Sequence, residues 1–340
     1  MHKNHCYLSC HRINNFNLCF NGRVDKGGKI VALCCEMLNN IPAIKLSGTG
    51  KQIIDNFVFL RESAIKEGHN HAQSVVVTEG CLNCVNWQYD DWKDNGLVRF
   101  VNFSMYPAPC DCRCIYCVYR NDIKEFNDLD VIDGYEKVFE AVKYAEDTGL
   151  IAQDALWQIS SGEITVHPFK KRFIDITKNK NTDFFTNCFV YDEGIGLNLA
   201  SNPMSSINLS IDAGTRETWF KIKGFDNFDV VLENLQRYYE DSMQDGQLTF
   251  KYIILPGIND NESDFQNVVS IMKCFGVKKI HLSRDNRIKY SGTGEQYARL
   301  VNSLGIFLSL LYKNEMHATM YSYSLSERRE AEKIAQKSKK

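Results

Sequence analysis

The chain has 340 residues, enough for one large barrel-type domain with a smaller appendage or for two domains. Hydrophobic residues make up 44% and charged residues 24%, which excludes a disordered chain. Acidic and basic residues number 42 and 40, so the net charge of −2 gives no global electrostatic footprint for nucleic acid or an anionic membrane.

No run approaches the roughly 18 uninterrupted apolar residues that span a bilayer. The opening MHKNHCYLSCHRINN lacks a basic-then-apolar signal. The expectation is a cytoplasmic protein, with neither nucleic acid nor membrane as partner. In a reducing compartment the 13 cysteines are not a disulfide framework, and thiolates there are buried and inert, catalytic or metal-bound.

Residues 1–96 show turn signals (Asn21-Gly22, Gly27-Gly28), short apolar runs and paired cysteines. They are read as a small, irregular, Cys-rich domain, poor in helical pattern and stapled by metal. SGTGK (47–51) is not a phosphate loop, because position 45 is lysine and Gln52 replaces the Ser or Thr that would bind magnesium.

From Leu97 the chain alternates. Strands are predicted at 97–106, 155–160, 183–190, 207–212, 248–255 and 278–284. Helices are predicted at 133–148, 170–178, weakly at 194–199, then at 215–241, 261–276 and 295–313. Gly276 suits a helix C-cap. Residues 317–326 read as a further strand, and the tail ERREAEKIAQKSKK as a charged amphipathic helix capping the domain. Strand–helix units in series define an α/β class, a partial (βα)6 TIM-type barrel over 97–314, followed by a strand and helix over 315–340.

The cysteines concentrate in PCDCRCIYC, which holds Cys110, Cys112, Cys114 and Cys117. Pro107 and Pro109 keep the approach extended. Four thiolates would make a closed tetrahedral zinc site. Alternate residues of an extended loop point to opposite sides, however, so Cys112 need not face the centre its neighbours face. A cluster held by three cysteines keeps one iron without a protein ligand, the open position that catalysis requires. Cys188 and Cys274, each inside an apolar stretch, are read as core thiols.

Read as Cys110-x3-Cys114-x2-Cys117, with Tyr116 before the last cysteine, this loop resembles that of the radical S-adenosylmethionine (SAM) superfamily. The resemblance spans about residues 97–290. It implies a 4Fe-4S cluster on Cys110, Cys114 and Cys117, whose open iron binds the amino and carboxylate groups of SAM. It implies reductive cleavage of SAM to methionine and a 5′-deoxyadenosyl radical, which takes hydrogen from an unactivated carbon. An electron donor such as flavodoxin or ferredoxin would be the redox partner.

Ser160-Ser161-Gly162-Glu163 resembles the family's GGE motif. Gly162 would permit close backbone approach, and Glu163 would pair with the SAM ammonium or simply sit on the surface. INLSIDAGTRETWFKIKG (207–224) resembles the fourth-strand region, placing Ser210 and Asp212 near the ribose or the substrate. Asp212 or Thr215 could instead cap the next helix. FKYIILPGINDNE (250–262) resembles the fifth-strand region. Ile253, Ile254 and Leu255 would line the adenine pocket, with Lys251 either on the SAM carboxylate or exposed. His281 reads as a packed core residue beside Arg284. The cysteine loop, Gly162-Glu163, Asp212, Pro256-Gly257 and Arg284-Asp285 all follow predicted strands, as active-site groups of parallel barrels do.

Cys81-x2-Cys84 has metal-ligand spacing. With Cys19 and the glycine-turn segment running to Cys34, it resembles the SPASM or Twitch auxiliary-cluster modules, here preceding the barrel. Cys35 is the alternative to Cys34, a zinc knuckle is the alternative occupant, and Cys6, Cys10 and Cys112 stay without a role. A second iron–sulfur cluster would suit oxidation of a sugar, small-molecule or peptide substrate, with the absence of a separate peptide-recognition domain favouring the first two. The competing function is a non-catalytic zinc-binding interaction protein.

Overall fold

The computed structural model describes residues 8–10, 13, 15–25, 29–31, 43–69, 87–89, 96–117, 128–285, 294–320 and 322–337. They fall into two units. The first draws on Met1–Pro109, Asp122–Gly162 and Lys180–Thr182, the second on Cys110–Asn121, Glu163–Asn179 and Asp183–Lys340.

In the first unit, β1 (Leu8–Cys10) pairs antiparallel with β5 (Trp87–Tyr89). Strand β2 (Asn17–Arg23) runs parallel to β6 (Val98–Tyr106), which runs parallel to β7 (Ile151–Ile159). Strands β3 (Lys29–Val31) and β4 (Ala43–Lys45) continue antiparallel from β2. Two helices cover this sheet, α1 (Gly50–His69) and α2 (Leu129–Asp147), and pack on each other. Phe20 of β2 stacks on Phe103 of β6 at 5.9 Å and meets Phe57 of α1 edge-on at 5.2 Å.

The expectation of irregular structure before residue 97 is therefore corrected. Ile53, Ile54, Phe57 and Ala64 are buried at helical spacing, and burial of that stripe makes α1 a 20-residue helix. Cys19 is fully buried within β2. Cys6, Cys34, Cys35, Cys81 and Cys84 lie outside the described residues.

The second unit alternates strand and helix. After one turn of 3-10 helix (Ile164–Val166) come α3 (Lys170–Thr177), β8 (Asn181–Thr186, the second unit's from Asp183), α4 (Glu193–Ser201), β9 (Ser206–Ser210), α5 (Arg216–Lys223) and α6 (Phe228–Asp241). Then follow β10 (Leu248–Ile254), α7 (Glu262–Cys274), β11 (Lys279–Arg284), α8 (Glu295–Lys313), β12 (His317–Met320) and α9 (Leu325–Lys337). Strands β8 to β12 pair in order, all parallel. The single predicted helix at 215–241 is two, because Gly224 takes a left-handed conformation (φ 79°) that ends α5.

Capping follows the sequence signals. Asp192, Thr215 and Asn261 each accept a backbone N–H of the helix they precede. Tyr252 of β10 meets Phe265 of α7 and Phe307 of α8, and those two rings stack at 4.3 Å. Cys188 is buried as expected, whereas Cys274, at the end of α7, is exposed and is not a core thiol. Among the described residues no helix is long and apolar enough to cross a membrane.

Candidate active site

The loop 110–117 has no regular structure of its own and is held by backbone bonds. Arg113 N donates to Lys223 O and Ile115 N to Ile222 O, both at 3.0 Å, so the loop is fastened to the last turn of α5. A further bond, Cys117 N to Cys114 O at 3.1 Å, tightens the turn that carries the last two thiols.

Cys110, Cys114 and Cys117 are half-buried and Cys112 is buried. Ligand atoms of Cys110, Asp111 and Cys112 lie within 4.8 Å of one another. Cys112 hydrogen-bonds to Cys110 and Cys114, which together with burial pushes its thiol pKa up. The same bond from Cys112 lowers Cys114 to about 6, against burial and with help from the Lys223 ammonium. Asn187 Nδ2 donates to Asp111 Oδ1 at 2.6 Å and to Cys112 Sγ at 3.2 Å.

Behind the loop lies a buried polar network. Asp212 follows β9 with φ 45° and is fully buried. Its Oδ1 accepts from Ile253 N at 2.7 Å, and its Oδ2 accepts from Lys223 Nζ at 2.5 Å and from the Tyr116 hydroxyl. Lys223 Nζ also donates to the Tyr116 oxygen at 2.9 Å and lies 5.4 Å and 5.3 Å from the Tyr116 and Trp219 ring centroids. The Lys223 side chain is only 1% exposed. Burial works against its charge, but Asp212 and the nearby thiolates outweigh burial and hold its pKa above the ordinary lysine value. Asn259 Nδ2 bonds Asp212 O and Ile253 O, both at 2.8 Å, tying the ends of β9 and β10 together.

Of the predicted residues, Tyr116 and Asp212 are brought together, whereas the loop's converging ligand atoms are those of Cys110, Asp111 and Cys112. The alternative of Asp212 as a helix cap is removed, since Thr215 caps α5. Ser210 ends β9 half-buried, in register with Lys251. Gly162, in the first unit, has φ 56°, and a Cβ there would meet Pro109 O at 2.3 Å, so only glycine fits.

Glu163, in the second unit, is 1% exposed, which removes the surface reading. It accepts from Thr165 N (3.1 Å), Thr165 Oγ1 (2.9 Å), Thr186 Oγ1 (2.8 Å) and Asn187 N (2.6 Å). The chain itself occupies both carboxylate oxygens. Burial raises its pKa to about 7 despite these donors.

The assignment of Ile254 is corrected by strand parity. Ile254 shares a face of β10 with Tyr252, towards α7 and α8, whereas Ile253 shares the opposite face with Lys251. Lys251 is half-buried, and burial lowers its pKa against the attraction of Asp212, Cys114 and Cys117. Arg284 pairs with Ile254 in register and donates to Glu327 of α9 at 2.7 Å, so it stands on the helix face. His281 is buried against Thr319.

Lys223, Asn187 and Asn259 were not singled out from the sequence. Lys223 looks there like an ordinary basic residue completing a helix, which the dipole alone would favour.

The second unit is thus a parallel α/β unit carrying a thiol-rich loop, with buried charge beside the ends of its strands. Residues 109–269 match the family model of the radical SAM superfamily, so this stretch of the chain is a radical SAM domain, and the members of that superfamily are enzymes. The fold class, α/β with parallel strands, is that of the superfamily's partial barrels. The competing expectation of a non-catalytic zinc-binding protein is set aside, because the superfamily's members are enzymes.

No curated protein matches the chain. Solved structures similar to it include SuiB of Streptococcus suis bound to the precursor peptide SuiA (14% identity, 88% of this chain and 70% of that one, TM-score 0.48). Others are a radical SAM methyltransferase of Sphaerobacter thermophilus (15%, 62% and 63%, 0.41) and HydG, a maturase of the FeFe-hydrogenase (15%, 69% and 55%, 0.47). The superfamily implies a 4Fe-4S cluster and SAM, and the soft sulfur donor set of the 110–117 loop fits such a cluster.

Proposed function

We propose that Cys110, Cys114 and Cys117 hold the 4Fe-4S cluster and that this enzyme uses it to remove hydrogen from an unactivated carbon of a sugar, another small molecule or a peptide. When bound, the cluster and SAM supply reductive cleavage of the sulfonium and the 5′-deoxyadenosyl radical that takes the hydrogen. The observation that supports this reading most is the combination of three half-buried thiols in one fastened loop with a lysine-neutralised carboxylate behind it.

The chain's own residues do the rest. Lys223 O and Ile222 O hold the loop against α5, and Asp212 holds Tyr116 and Lys223 in place. Ser210, Lys251 and Ile253 lie on one face of the sheet below the loop, where SAM and substrate would be received. Gly162 lets backbone approach closely, and Glu163 shapes its own segment rather than a ligand contact. A reduced flavodoxin or ferredoxin would supply the electron, and Cys19, Cys34, Cys81 and Cys84 would hold an auxiliary cluster, which would supply an acceptor for the electron left by substrate oxidation.

Anaerobic reconstitution followed by iron and sulfide counting and a SAM-cleavage assay tests this. Release of 5′-deoxyadenosine is expected; C114A abolishes it, while C81A keeps part of the iron. Zinc without sulfide would overturn the reading.

A further inference from the structure

We infer that Lys223 is a tuning residue for the cluster: its buried positive charge, held against Tyr116 of the cysteine loop, raises the reduction potential, with Asp212 as the counterweight. The inference rests on the proposed cluster of Cys110, Cys114 and Cys117.

Lysine near the end of an exposed helix normally extends into water with its charge solvated. Lys221, two residues earlier, does this and pairs with Glu217 at the surface. Lys223 instead turns inward to 1% exposure. Its ammonium meets one carboxylate oxygen, one phenol oxygen and two aromatic faces. Burying a charged pair is a poor route to stability, since an apolar pair of similar volume serves as well. The placement asks for another explanation, and what lies beside it is the cysteine loop.

Two routes connect Lys223 to the sulfurs. The first is mechanical: Lys223 O accepts Arg113 N in the middle of the loop. The second is electrostatic. Lys223 Nζ donates to the Tyr116 oxygen, whose own proton goes to Asp212, so the buried ammonium stands against the residue that lies between Cys114 and Cys117 in the loop. Reduction adds one negative charge to a cluster. A fixed cation close to a ligand sulfur favours the reduced form, and charge and hydrogen bonds at the sulfurs are recognised determinants of cluster potential.

The experiment is an anaerobic redox titration of reconstituted full-length protein without SAM, followed by electron paramagnetic resonance. The signal monitored is the one that changes when SAM is later added, so an auxiliary cluster does not confuse the result. Potentials are expected to order by charge, with D212N above wild type, K223M below it, and K223M/D212N returning towards wild type. K223R retains the wild-type potential. If K223M takes up no iron, the rise in D212N carries the comparison. Unchanged potential in D212N and K223M, or an order that does not follow charge, overturns the inference. So does loss of iron from every variant including K223R, because the network is then structural only. A wild-type protein with no 4Fe-4S signal would instead overturn the proposed function.

Discussion

Asp212 and Glu163 are both buried in the second unit, and they are stabilised in opposite ways. Asp212 is matched by an ammonium, a phenol and one backbone N–H. Glu163 is matched by backbone N–H groups and threonine hydroxyls alone. A buried anion without a countercharge has its pKa pushed up, here to about 7. The contrast separates a carboxylate that organises charge beside the thiol loop from one that organises backbone.

The comparison is broken most forcefully at Asp212. D212A strands the Lys223 ammonium in a dry site, and loss of one partner of a buried pair costs about 3–5 kcal/mol. Urea unfolding would read this, and D212A/K223M, which removes both charges, should recover much of it.

At Glu163 the expected effect is smaller and depends on pH. E163Q presents an amide to groups that are all donors, a loss of roughly 1–3 kcal/mol. The folded pKa lies above the ordinary 4.5, so the folded state keeps its proton while the unfolded state releases it. Wild-type stability therefore falls as pH rises from 4.5 to about 7, by an amount on the order of a few kcal/mol, and levels off above that. E163Q should lack this slope in denaturation series at several pH values. An equal slope in both proteins would remove the distinction between the two sites.

Tyr116 is the finest probe. Y116F keeps the ring and the Lys223–Asp212 pair but removes the bridging oxygen, for about 1 kcal/mol. A loss as large as that of D212A would mean that the phenol, and not the ion pair, holds the loop.

Much of the chain after Leu97 was legible in the sequence because periodicity is set by burial. All six predicted strands after Leu97 appear within a few residues, and the tail is helical. The failures have local causes. A single residue of parity moves Ile254 to the helix face and leaves Ile253 on the face of Lys251. Gly224 breaks one predicted helix into two through a left-handed residue. The pattern of α1 was present in Ile53, Ile54, Phe57 and Ala64, but flanking cysteines and turn signals outweighed it. Lys223 was invisible for another reason: only tertiary structure decides whether a lysine near a helix end faces water or a carboxylate 11 positions earlier in the chain.

The proposed role of the loop thiols is to hold iron and sulfide for chemistry on SAM. Its most direct test compares reconstituted wild-type protein with C114A for iron, acid-labile sulfide and 5′-deoxyadenosine released under anaerobic reduction. The wild type should contain iron and sulfide in equal amounts and release the nucleoside, and C114A should release none. Undiminished release from C114A, or a wild-type protein loaded with zinc and devoid of sulfide, would contradict it.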